Sequence, residues 1–204
     1  MMSRVPAATS EMDDLRQLKI QHHELAVRHD LTPFTQGKLD CLCGIYSIIN
    51  AVRLLRQPVW PVSHMAARQL FETGTASLLR KGLLDAAVVD GMVIRHWKQL
   101  AALLTRQAST DAFNVTVETP TKSGRKLPAE STERWMVESI ANGKPVLMHL
   151  GRRHQHYTVV AGIDRHQISL FDSWGLIRIK RAGFVLRQDI TATCLMRFSL
   201  QNRM

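Results

Sequence analysis

Apolar positions along this 204-residue chain follow a helical period in the first half and an alternating one in the second. Leu15, Leu18, Ile20 and Leu25 recur at loosely helical spacing over residues 10–29, with Ser10 as N-cap before acidic first-turn residues. They predict an amphipathic helix at the edge of the domain. The stretch LTPFTQGKLD then breaks regular structure through its Pro and Gly. Beyond it Ile45, Ile48, Ile49, Val52 and Leu55 keep the helical period through CGIYSIINAVRLL, which places Cys43 where a loop enters a helix. From residue 60 to 108 the pattern stays helical. Ser63 or Pro61 starts one segment, Gly74, Gly82 and Gly91 punctuate the rest, and Val93, Trp97, Leu100, Leu103 and Leu104 lie largely on one face.

FNVTVET, residues 113–119, alternates and predicts a strand, followed by the polar loop TKSGRKLP and a helix from Ser131 to Asn142 that Gly143 caps. The texture then changes to strands: PVLMHL, HYTVVAGID, HQISLFD, LIRIKR and ATCLMRFSL. Helices first and strands later predict an α+β domain of two lobes, whose antiparallel sheet comes mainly from the C-terminal half. The chain reads as one domain: an N-terminal helical extension over 1–30, a mainly helical lobe over 31–110 and a mainly β lobe over 111–204. No internal repeat, low-complexity tract or dividing linker is present in the sequence.

Composition narrows the class. With 45% apolar and 22% charged residues the chain is of ordinary globular type. It has no apolar run of the ~18 residues a membrane span needs, and MMSRVPAATSEMDD has neither the basic nor the apolar region of a signal peptide. A soluble, cytoplasmic protein is expected. Lys and Arg outnumber Asp and Glu by 27 to 17, which raises the question of an acidic partner. The basic residues are scattered, the longest cluster running from Lys122 to Lys126, and only two Tyr are available for base stacking. A solvated basic surface or an acidic protein partner is therefore expected ahead of nucleic acid as the primary ligand.

Cys41, Cys43 and Cys194 are too few and too oddly spaced for a disulfide framework. Nucleophilic catalysis by cysteine needs a thiolate, and a helix N-terminus favours one. Cys43 is placed that way, and the first helical amides supply a donor for an oxyanion, with the side-chain NH2 of Gln36 as the second. The base comes from elsewhere: His156 begins HYTVVAGID, and Asp172 ends the next strand 16 residues later (172 − 156). A hairpin of that length brings a strand start beside its neighbour's end. Asp172 can then bond the imidazole, fix its tautomer and stabilise the imidazolium.

These residues resemble the papain-like cysteine peptidases. The motifs that carry the resemblance are Gln36, Cys43 with Ser47 four positions on, His156, and Asp172-Ser173-Trp174-Gly175. The run NGKPVLMHL, HYTVVAGID, ISLFDSWG is similar to the compact bacterial C39-like, double-glycine branch, which prefers Asp to Asn. The resemblance covers residues 36–51 and 140–176 and leaves the helical middle unmatched. It implies a papain-like α+β fold in which a central catalytic helix packs on the C-terminal antiparallel sheet. It also implies Gln36 as oxyanion-hole residue and Trp174 as a shield over the Asp172–His156 hydrogen bond. The family's Gln-to-Cys spacing falls between the two available here, seven residues to Cys43 and five to Cys41. Cys41 thus stays open as an alternative nucleophile, with Cys43 preferred because Gly44 follows it and Ser47 lies one helical turn on.

The expected activity is hydrolysis of a peptide bond through a Cys43 thioester, with no metal or organic cofactor. By resemblance the protein substrate carries small residues, often Gly-Gly, before the cut. A compact basic hydrolase of this sort also resembles bacterial toxin or effector domains delivered into another cell by a specialised secretion system, which implies a cognate inhibitor protein. The same triad serves a deamidase or an acyltransferase, and a catalytically silent binding module for an acidic protein is a further alternative. Other residues carry plainer readings. Cys194 is expected in the core, and Trp60, Trp97 and Trp135 as core or lobe packing. His22 and His23 are expected to be solvated. A zinc site built from Cys41, Cys43, His154 and His156 is disfavoured by the narrow ligand spacing.

Overall fold

The computed structural model describes Leu25 and residues 31–121, 127–151, 154–181 and 194–203. The helix expected over 10–29 lies outside those residues except for Leu25, as do His22, His23 and the basic cluster at 122–126. Five helices are described: α1 (Cys43–Arg56), α2 (His64–Arg80), α3 (Leu84–Val89), α4 (Ile94–Ala108) and α5 (Ala129–Ala141). The strands are β1 (Phe113–Glu118), β2 (Val146–Leu150), β3 (His156–Ile163), β4 (Gln167–Phe171), β5 (Arg178–Lys180) and β6 (Leu195–Asn202). They form one antiparallel sheet in the order β1-β6-β2-β3-β4-β5, so the fold is α+β.

Sheet alternation divides the core in two. Leu147, Val159, Ala161, Phe171, Met196 and Phe198 face α1, α2 and α4, while Val146, Met148, Leu150, Val160 and Leu195 face Met136, Val137 and Ile140 of α5. The helical and strand-rich halves therefore share a core across one sheet. The apolar period of α1 predicts an amphipathic helix, yet 12 of its 14 residues are buried. A helix buried nearly all round is enclosed by other elements, here α2, α4, β3 and β6. Each fully buried Ile or Leu there contributes about 1.5–3 kcal/mol, which is why the position of Cys43 at its first turn is firmly set.

Several local expectations are revised. Gly74 does not interrupt a helix; it lies inside α2, where an added Cβ would stand 3.4 Å from Ile45 of α1 and 3.6 Å from Leu104 of α4. Its small size lets three helices approach. Gly82 and Gly91 do punctuate, with φ of 65° and 81° that favour glycine. Ser63 is the cap of α2, its Oγ accepting the Ala66 N–H at 3.1 Å. Val93 is not on the buried face: it caps α4 from outside and is exposed, while Trp97, Leu100, Ala101, Leu104, Thr105 and Ala108 form the buried stripe. Trp60, expected in core or lobe packing, is 63% exposed on the α1–α2 connection. Trp97 is fully buried and Trp135 packs partly buried against the smaller core.

Candidate active site

The register of the sheet explains how residues far apart in the chain meet. Leu150 pairs with His156 at the start of β3, and Val159 pairs with Phe171 at the end of β4. Asp172, one residue past that last rung, is thereby carried back toward the start of β3. There its Oδ2 lies 2.6 Å from His156 Nε2, with both side chains fully buried. Asp172 Oδ1 accepts the backbone N–H of Trp174 at 2.7 Å and of Leu176 at 3.1 Å. This Asx-type turn uses one carboxylate oxygen and leaves the other for the ring.

The remaining nitrogen of His156, Nδ1, is buried without a hydrogen-bond partner, and Cys43 is near enough to favour the charged ring. Burial by itself disfavours the charged imidazole. The hydrogen bond to Asp172, together with the charge of Asp172 and the neighbouring Cys43, overcomes it and pushes the pKa up to about 9. For Asp172, burial again works against the charge, and the bonds to His156 and the Trp174 amide outweigh it and hold the carboxyl below its ordinary range. Trp174 is 55% exposed, so it is no core residue. Its ring lies flat on the imidazole, 4.5 Å between centroids with the planes 13° apart, and covers one face of His156.

Cys43 is buried in the first turn of α1, its Sγ 3.8 Å from the Cys41 carbonyl. Cys41 lies apart from the imidazole. Its Sγ is turned to the Val89 carbonyl at 3.2 Å, and its pKa is raised by burial and then by the charges of Cys43, Asp40 and Asp90. A thiol held protonated and aimed elsewhere is a poor nucleophile, so Cys43 is the better placed of the two. Gln36 stands beside the Asp172 turn: its backbone N–H donates to the Ser173 carbonyl at 3.2 Å and its Oε1 accepts the Ser173 hydroxyl at 3.2 Å. Its Nε2 donates to the Asp40 carbonyl at 3.0 Å, and a side-chain amide carries a second hydrogen besides. Beside this cluster a cleft of about 550 Å³ is walled by Gln36, Asp40, Cys41, Ser173 and Trp174. Cys194 is buried ahead of β6.

No protein-family model, curated protein or solved structure matches the chain. The zinc constellation of Cys41, Cys43, His154 and His156 does not converge: among the described residues no three His, Cys, Asp or Glu side chains are gathered for a metal ion. No described helix is long and apolar enough to cross a membrane.

Ser47 and Gly44, singled out in the sequence, brace the site together with Asn50, Arg53, Met92 and Tyr157, which escape a sequence reading. Asn50, on the buried α1, clamps the incoming extended segment: its Oδ1 accepts the Phe34 N–H at 2.8 Å and its Nδ2 donates to the Phe34 carbonyl at 3.0 Å. Arg53 adds a bond to the Thr32 carbonyl and lies over the Phe34 ring, and together these hold the strand of chain that ends at Gln36. A polar amide in an otherwise apolar helical period is the signal that marks Asn50. Ser47 donates to the Gly44 carbonyl at 2.9 Å and accepts the indole N–H of Trp97 at 3.2 Å, anchoring α1 to α4. Gly44 has no side chain because Met92 fills that space; a Cβ would stand 2.9 Å from its sulfur. The Met92 carbonyl in turn accepts the Tyr157 hydroxyl at 2.6 Å, and the Tyr157 ring lies between Trp97 and His149, 4.5 Å from each. His149 is partly buried and its pKa is lowered by burial and by the neighbouring His156 charge. Gln155, immediately before His156, has a φ of 42°. A non-glycine residue in that region stores strain that the surroundings must hold.

The His156–Asp172 pair gives stability a defined pH dependence. His156 titrates at an ordinary ~6.5 when unfolded and at about 9 when folded. Its contribution is fully present below pH 6.5 and lost as pH rises toward 9. Asp172, with its pKa lowered, contributes above the ordinary carboxylate range and loses that contribution as pH falls through its folded value. Urea unfolding at pH 6 and pH 9 is expected to show wild type losing roughly 3 kcal/mol relative to His156→Gln. Equal losses in both proteins would mean that the imidazole carries no such proton.

Proposed function

We propose that the chain is a cysteine hydrolase of papain-like type that cuts peptide bonds through a thioester on Cys43. The observation that carries this reading is the buried His156, held by Asp172 through one nitrogen at 2.6 Å and partnered by Cys43 in its protonation. A charged ring beside a sulfur at a helix N-terminus is the arrangement that makes a thiolate available near neutral pH. Cys43 attacks the scissile carbonyl and the C–S bond forms. The first amides of α1 and the second amide hydrogen of Gln36 receive the oxyanion. His156 then gives its proton to the leaving amine. Water activated by the neutral ring clears the acyl group and regenerates the thiolate. Asp172 keeps the ring oriented through both steps, and Trp174 covers the ring face from which water would compete for the buried pair. The motifs shared with the C39-like branch extend the reading to targets with small residues, often Gly-Gly, before the cut.

Proteomic mapping of new termini after expression of wild type beside Cys43→Ala tests the proposal. New cuts that appear with wild type alone are the expected result. An intact target about 1 Da heavier assigns the triad to glutamine deamidation instead, and cuts found equally with both proteins reject the peptidase.

A further inference from the structure

Beside the His156–Asp172 pair, β3 carries a buried hydroxyl that the proposed reaction does not use. Thr158 is 1% exposed, and its Oγ1 has no hydrogen-bond partner. We propose that Thr158 is a positioning residue for hydrolysis at Cys43: its hydroxyl donates to Asp172 Oδ2 once His156 has given up its proton, and so sets the pH at which the ring becomes a base. This rests on the assignment of His156 as the base that serves Cys43.

Strand register brings the two side chains together. Val160 pairs with Leu170 and Val159 with Phe171, so the next position along the ladder sets Thr158 across from Asp172. Alternation puts Thr158 on the same face as His156, and on that face the ring meets the carboxylate. Side chains directly opposite stand about 4.5–5.5 Å apart at Cβ, which leaves the Thr158 hydroxyl a rotamer change from Asp172. The other neighbours of Thr158 on this face are apolar: Met148 across β2, and Val160 two residues on. Asp172 in turn has a place for the donor. A carboxylate offers roughly four acceptor positions. Oδ1 accepts the amides of Trp174 and Leu176, and Oδ2 is bonded to His156 Nε2. The position left over lies on Oδ2.

The state of the ring decides when that bond matters. While His156 is charged, its bond to Oδ2 is charge-assisted and roughly twice as strong as a neutral one. Loss of the ring proton weakens it and leaves the buried carboxylate less well compensated. Turning the Thr158 hydroxyl onto Oδ2 then satisfies a donor and an acceptor together. The neutral ring is stabilised, and the pH at which it forms is lowered. Burial raises the pKa of Asp172, the bond to His156 lowers it, and Thr158 is near enough to lower it further. The other titratable groups that bear on the ring are Cys43 from α1 and His149 from β2, and Thr158 alters neither.

Thr158→Val keeps the branched shape and removes the hydroxyl, Thr158→Ser keeps the hydroxyl, and Thr158→Ala removes it by truncation. The His156 ring is titrated by NMR in the full chain, its signal being the one absent from His156→Gln. In Thr158→Val, and likewise in Thr158→Ala, the midpoint is expected to rise from about 9 to about 10, because the neutral ring loses a supporting donor. Thr158→Ser is expected to titrate like wild type. A hydroxyl that never bonds Asp172 would leave the midpoint alike in all four proteins and make Thr158→Val the more stable in urea, since a methyl suits an apolar face better than an unpaired hydroxyl. That result overturns the proposal. A rise in Thr158→Ser equal to that in Thr158→Val also overturns it, by assigning the effect to packing. The titration needs no substrate, so the two readings fail separately. Cys43-dependent cuts with an unmoved midpoint leave hydrolysis standing and remove Thr158 alone, whereas a serine-rescued rise in a chain that makes no such cuts removes the hydrolytic reading and the positioning role with it.

Discussion

Replacing Cys43 with alanine is expected to lower the rate of peptide hydrolysis by about 10⁶-fold, and His156→Ala to fall nearly as far. The two side chains act as one unit. Without the sulfur the imidazole has no acyl acceptor to serve, and without the imidazole the sulfur has no partner for its proton and the leaving amine has no acid. The double variant should therefore lose no more than the worse of the single ones, which is the signature of a shared step. A second readout isolates the ground state. The His156 ring keeps its proton up to about pH 9, whereas an unassisted cysteine is only about 3% thiolate at pH 7. Iodoacetamide labelling of Cys43 is expected to slow in His156→Ala, because the charged ring that favours a thiolate is gone. Hydrolysis that survives Cys43→Ala and disappears in Cys41→Ala would transfer the nucleophile role to Cys41.

Asp172→Asn is expected to lower turnover by about 10⁴-fold while leaving the fold intact. The reason lies in which end of the amide must face the ring. Asp172 Oδ1 accepts two backbone N–H groups, from Trp174 and Leu176, and only an oxygen can keep them. The NH2 of an asparagine would then occupy the Oδ2 position, 2.6 Å from His156 Nε2, and donate to it. That bond puts the ring proton on Nδ1 in the neutral state and removes the carboxylate that stabilises the imidazolium. The histidine can no longer receive the Cys43 proton. A pH profile tells this apart from a packing defect: the elevated His156 titration should drop toward the ordinary histidine range, whereas a merely structural change would lower the amplitude and leave the profile in place. A variant with wild-type turnover at neutral pH would remove Asp172 from the proton chemistry.

Much of the local structure is legible in the chain itself. The helical period through Ile45, Ile48, Ile49, Val52 and Leu55 marks α1, Ser63 marks the start of α2, and Gly143 with φ 70° marks the end of α5. Each is a short-range effect that neighbouring residues decide. Trp60 and Gly74 mislead because their roles depend on distant partners. Trp60 is apolar, yet its turn reaches past the packed helices. Gly74 is a helix-breaker by propensity, yet it sits where Ile45 and Leu104 need the space of a missing side chain. Tertiary packing outweighs a propensity cost of about 1 kcal/mol.

The same division runs through the candidate site. The length of one hairpin predicts that Asp172 meets His156, and the two side chains do meet, because strand register converts spacing into adjacency. In the sequence Gly44 and Ser47 favour Cys43 as the sulfur at the helix mouth, while the Gln-to-Cys spacing leaves Cys41 open beside it. Only the folded chain turns one sulfur to the Val89 carbonyl and leaves the other beside His156. Nor does any local pattern tie Asn50 to Phe34, or Tyr157 to Met92 and through it to Gly44. These contacts bridge separations of 16 and 65 residues. The composition permits such bonds, but their partners are assigned only when burial removes water as the alternative and each enclosed polar group must find a mate within the protein.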